Sequence, residues 1–133
     1  MYKHILLPTD GSQRSEKAIT AGIELARLLG SQVTALFVSE ATYIDQIDAG
    51  PKPRAEVALA FATKLAEDAG VACTTVAAIG DTPTKSIVEY AAANGCDAIV
   101  IGTHGRSRIG KFLLGSVAAS VLAECDIPVI LYR

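Results

Sequence analysis

Ala98-Ile99-Val100-Ile101 runs without a polar residue into Gly102-Thr103-His104-Gly105-Arg106-Ser107-Arg108-Ile109-Gly110-Lys111-Phe112-Leu113-Leu114-Gly115-Ser116. A short, continuously apolar strand is one buried on both faces, which is the habit of a parallel sheet covered by helices. The glycine-punctuated segment gives way at Gly115-Ser116 to a helical pattern carried by Val117, Val121, Leu122 and Cys125. Strand, specialised loop and helix in that order make a βα unit.

The same rhythm extends in both directions. Ile5-Leu6-Leu7 is a short strand ended by Pro8, and Ile19, Gly22, Ile23 and Ala26 then repeat at helical spacing up to Gly30. Val33 to Val38 is a second strand. Residues 39–54, with Gly50, Pro51 and Pro53 and no clear period, predict a long loop. Val57, Phe61 and Leu65 mark a second helix ending near Gly70, and Val71 to Ile79 a third strand. Thr82-Pro83 predicts an N-cap with proline at the first helical position. The third helix that follows carries Ile87, Val88, Ala91 and Ala92 and stops at Asn94-Gly95; Ile127 to Tyr132 is the closing strand. Strands alternating with helices predict a single α/β domain over residues 1–133, an open five-stranded parallel sheet with helices on both faces. Such sheets bind ligands at the carboxyl ends of their strands, where the winding reverses.

Composition narrows the function classes. A net charge of −2 gives no broad attraction to nucleic acid or membrane. No apolar run approaches the roughly 20 residues of a membrane helix. The apolar stretch Ile5 to Leu7 is too short for a secretory signal. Cys73, Cys96 and Cys125 cannot all pair within one chain, so a reducing cytoplasm is the expected location and small core residues their expected role. Two histidines and dispersed cysteines show no metal-ligand spacing, and no metal site is expected.

Two loops look specialised. In Pro8-Thr9-Asp10-Gly11-Ser12, Asp10 or Ser12 can cap the first helix, and Asp10 can also accept a hydrogen bond from a ribose hydroxyl or adenine amine. In Gly102 to Ser116, four glycines in fourteen positions let backbone approach a ligand, and Arg106, Arg108 and Lys111 add positive charge. Gly115-Ser116 then opens a helix whose free N–H groups and dipole favour an anion. These features describe a phosphate cradle. Gly105 to Lys111 reads G-x-x-x-x-G-K, but Phe112 replaces the Mg²⁺-binding hydroxyl of a P-loop and the helix starts later, so a P-loop is rejected.

At these residues the chain resembles the universal stress protein family, whose ATP-binding members carry G-x2-G-x9-G-[ST]; Gly102, Gly105, Gly115 and Ser116 match it. Pro8 to Ser12, the closing Ile127-Pro128-Val129 and the strand rhythm are similar too. The resemblance implies a Rossmann-like sheet of the adenine nucleotide alpha hydrolase type, ordered 3-2-1-4-5. It implies an ATP site in which Pro8, Thr9 and Asp10 form the ribose and base wall and the backbone of Val38 meets adenine. Ile101 would pack against the nucleotide, while Gly102, Gly105, Arg106, Gly115, Ser116, Val117 and Ala118 would surround the phosphates. Mg²⁺ or Mn²⁺ would be held mainly by phosphate oxygens. It further implies a homodimer joined through Val129 to Tyr132, an apolar edge that needs covering.

Hydrolysis needs a group that positions water and others that stabilise charge on the γ-phosphate. His104 reads as a solvent-facing loop residue, His4 as structural, and Asp10 stands at the ribose end, so no catalytic residue is assigned. The expectation is a nucleotide-dependent stress-response protein with slow turnover at most. A nucleotide-free dimeric interaction module, or a binder of another adenine nucleotide such as cyclic AMP, are the alternatives. Enzymes that split ATP between its α and β phosphates carry S-G-G-x-D-S after strand one, from which Pro8 to Gln13 departs. Lys52-Pro53-Arg54 reads as a solvated helix approach, and Asp81-Thr82-Pro83-Thr84 as capping chemistry.

Overall fold

A computed structural model describes residues 2–40, 52–103 and 114–133. In chain order the elements are β1 (His4–Thr9), α1 (Gln13–Leu29), β2 (Gln32–Glu40), α2 (Pro53–Ala69), β3 (Cys73–Gly80), α3 (Pro83–Ala93), β4 (Ala98–Gly102), α4 (Ser116–Glu124) and β5 (Val129–Tyr132). The strands form one sheet in the order β3-β2-β1-β4-β5, every neighbouring pair parallel. The order expected from the family resemblance is therefore the observed one, and winding reverses between β1 and β4.

Strand alternation builds two cores. Ile5 and Leu7 of β1 join Val33 and Ala35 of β2 on one face, under Ile19, Ile23 and Ala26 of α1 and Ala62 and Ala66 of α2. Leu6, Leu36, Val38, Ile99 and Ile101 point to the other face, under Ile87 and Ala91 of α3 and Val121 of α4. Helix ends follow local chemistry. The Ser12 and Thr82 hydroxyls accept from the backbone N–H groups of Ser15 (3.2 Å) and Lys85 (3.1 Å), and Gly30 and Gly70 close α1 and α2 in the left-handed region.

Several expectations are corrected. β1 does not stop before Pro8 but runs through it to Thr9. Lys3 bonds toward β2 and His4 toward β4, so alternation aims the nitrogen of Pro8 at β4. The β1–β4 register reaches only Leu6↔Ile99, so the missing N–H costs no ladder bond. Pro8 thus sits where the two central strands part.

The long loop expected over 39–54 is shorter at both ends. Ser39 and Glu40 pair with Ile79 and Gly80 in β3, while Pro53 and Arg54 already belong to α2; residues 41–51 lie outside the described residues. α2 buries Ala55, Ala58, Ala62 and Ala66 most deeply; Phe61 and Leu65 pack partly buried against the same core as expected, whereas Val57 is 72% exposed. Methyl groups let this helix lie close to α1 and the sheet. In α4 it is Ala118 and Val121 that are buried, with Leu122 exposed; in α3, Ile87 and Ala91 are buried and Ala92 exposed. β3 begins at Cys73 and β5 at Val129, two residues later than their patterns suggest in each case.

Candidate functional site

The carboxyl ends of β1, β2 and β4 bring the expected residues together. Pro8, Val38 and Ile101 lie one or two residues before the ends of these strands, all buried. Val38 and Ile101 belong to the core beneath α3 and α4, and alternation with Leu6 points Pro8 to the same side. Three buried apolar residues therefore lie near the topological switch point.

Beside it lies the β1–α1 turn. The Asp10 carboxylate accepts at Oδ1 from the Ser12 backbone N–H (3.0 Å) and the Ser15 hydroxyl (2.7 Å). Gly11, at φ +84°, donates its N–H to the buried Thr9 hydroxyl at 3.1 Å. Ser12 then caps α1, so the expected capping role falls to Ser12 while Asp10 braces the turn. Burial works to raise the Asp10 pKa, but the Ser12 and Ser15 hydrogen bonds outweigh it and hold the carboxyl below the ordinary aspartate value. Asp10 is thus an anion at neutral pH, and Oδ2 accepts no hydrogen bond within the described residues.

Across the switch point, β4 ends at Gly102 and α4 begins at Ser116. The Gly115 N–H donates to the Thr103 carbonyl at 2.5 Å, which ties the end of β4 to the start of α4. Gly115 is the N-cap of α4 and has no side chain to cap it. The first intrahelical bond is donated by Ala119 to the Gly115 carbonyl, so the N–H groups of Ser116, Val117 and Ala118 lie before the ladder starts. Among the described residues no acceptor meets these three N–H groups, and donors at the positive end of a helix dipole favour an anion. Gly105 and Arg106, with His104, Arg108 and Lys111, lie outside the described residues.

A profile of the universal stress protein family matches residues 1–133. The chain belongs to that family. Among universal stress proteins, MJ0531 of Methanocaldococcus jannaschii is 32% identical across the whole chain and 83% of its own length. The solved structure of MJ0577, from the same organism, is 29% identical and superposes with a TM-score of 0.86 over 98% of this chain and 95% of that one. A universal stress protein from Archaeoglobus fulgidus, solved in complex with dAMP, is 27% identical with a TM-score of 0.72 over 99% and 98% of the two chains.

The remaining chemical groups stand elsewhere. At the amino edge of the sheet, His4 meets the Thr34 hydroxyl through Nε2 (2.7 Å) and the Cys96 sulfur through Nδ1 (3.8 Å). Burial, with a smaller push from the Asp97 charge, raises the Cys96 thiol to about 11, so it stays protonated. Cys73 and Cys125 are partly buried and unpaired. Among the described residues no cluster of histidine, cysteine or carboxylate is built to hold a metal, and no helix is long and apolar enough to cross a membrane.

One residue was missed. Arg54, read as part of a solvated approach, donates from Nη2 to the backbone carbonyl of Asp10, and its guanidinium lies over the Phe37 ring, 5.7 Å from the centroid. Nothing local announces this, because the pairing spans 44 positions of sequence.

Proposed function

We propose that this universal stress protein binds ATP together with Mg²⁺ or Mn²⁺ and works as a nucleotide-dependent regulator in the stress response, with slow hydrolysis at most. One observation carries it: the first-turn N–H groups of α4 and Oδ2 of Asp10, none of which has a hydrogen-bond partner among the described residues, flank the same switch point between β1 and β4. Such a pairing suits a ligand with an anion at one end and hydroxyl or amine donors at the other. The relative solved with dAMP supports an adenine nucleotide. Gly102, Gly105, Gly115 and Ser116 match the ATP-binding pattern and favour the triphosphate, with Arg106 beside them. The metal would be held mainly by phosphate oxygens, since no carboxylate cluster stands among the described residues.

A homodimer joined along β5 belongs to the same proposal. β5 is an edge strand whose Ile130 and Tyr132 are exposed in the single chain, a surface that a second copy would cover. Three unpaired thiols suit the cytoplasm. The test is a thermal-shift panel of ATP, ADP, AMP, dAMP, cyclic AMP and GTP with Mg²⁺. ATP should raise the melting temperature most and GTP least. A larger shift with cyclic AMP would move the assignment to that ligand, and no shift with any would leave the dimeric interaction module.

A further inference from the structure

Arg54 occupies the second position of α2, the positive end of a helix dipole, where a cation is disfavoured. It is nevertheless committed to one place. Its guanidinium lies over Phe37, itself buried against Ala55 and Ala58, and donates to the carbonyl of Asp10. Gly11 sits against the same pair: a Cβ there would lie 3.7 Å from both Arg54 Nε and Phe37 Cε2. The Asp10–Gly11 turn is therefore held from two sides. Ser12 and Ser15 fix the Asp10 carboxylate, and Arg54 fixes its backbone.

We propose that Arg54 is a positioning residue for the nucleotide, acting through Asp10 rather than touching the ligand. This rests on the nucleotide-binding reading above. With the carbonyl pinned, the Asp10–Gly11 peptide has one orientation and Oδ2 one direction. Without Arg54 the peptide can rotate about the glycine, and each bound ligand must first order the turn. A long exposed side chain is well placed for this, because its removal empties no core.

The test compares the native protein with Arg54→Met, Asp10→Asn and the double variant. Each is titrated with ATP and Mg²⁺, and amide exchange is followed at Gly11 and Ser12 without nucleotide. Arg54→Met should weaken ATP roughly five- to tenfold, in the lower range of usual site couplings. It should speed exchange at those two amides, leave the melting temperature nearly unchanged, and have little further effect in the Asp10→Asn background. Equal binding by the native protein and Arg54→Met would overturn the role of Arg54 and leave the nucleotide reading intact. An undiminished loss in the Asp10→Asn background would mean that Arg54 touches the ligand itself. No ATP binding by the native protein would contradict the nucleotide reading and this inference together.

Discussion

The Gly115 N–H and the Thr103 carbonyl stand 2.5 Å apart and join the end of β4 to the start of α4. Because Gly115 spends its N–H on this clasp, the donors without an acceptor among the described residues are those of the first helical turn. A strand end and a helix start are thereby locked at a fixed spacing beside the parting of β1 and β4, before any ligand arrives.

Asp10 gives an acid signature. Its carboxyl lies below the ordinary aspartate value in the folded chain, so it contributes stability that is present above about pH 4 and lost as pH falls further. Urea unfolding of the native protein should therefore weaken between about pH 4 and pH 2, and Asp10→Asn should weaken less steeply. Asp97, also held low by the backbone N–H groups of Lys3 and His4 despite its burial cost, will keep part of the slope in that variant. Identical slopes would mean that the Ser12 and Ser15 bonds do not favour the anion.

Gly22 is a packing requirement rather than a flexible point. A Cβ there would stand 2.3 Å from Leu7 Cδ2, inside the core between α1 and β1. Gly22→Ala should destabilise by about 1–3 kcal/mol by overpacking, although helix propensity alone favours alanine by about 1 kcal/mol. Leu7→Val in the same chain should recover part of the loss. Chemical denaturation decides it, and a stabilised Gly22→Ala would refute the close approach.

Much of this was legible from local patterns. The continuous apolar run of β4, the glycines closing α1 and α2, and the Thr82-Pro83 cap each depend on a few neighbouring residues, and each stands as read. What escaped depends on distant partners. Pro8 terminates a strand only when its neighbour demands an N–H, and here β4 has already turned away. The alanine face of α2 is chosen by how near α1 lies, whereas the helical spacing of Val57, Phe61 and Leu65 draws Val57 into the expected core. Arg54 finds Asp10 and Phe37 only after α2 has docked.

Thr82 tests the capping account on the opposite face. Its hydroxyl accepts from Lys85 N–H at 3.1 Å, and Thr82→Ala should cost about 1 kcal/mol in chemical denaturation without altering nucleotide affinity. A loss of affinity in that variant would extend the site to the β3–α3 turn.

The proposed dimer predicts that Ile130→Lys, on the exposed β5 edge, yields monomers in sedimentation equilibrium at concentrations where the native chain is dimeric. A native chain that sediments as a monomer, or an unaffected variant, would remove β5 as the interface.

Calorimetric titration with ATP and Mg²⁺, run on the native protein beside Gly102→Val, Gly115→Val, tests the cradle most directly. Gly115 holds φ −61°, which valine also adopts, so the second substitution does not strain the backbone. Micromolar-range binding by the native protein, lost in a variant that still melts cooperatively, is the predicted result. Equal binding by both proteins, or none by the native chain, would contradict the phosphate cradle at the β4–α4 junction.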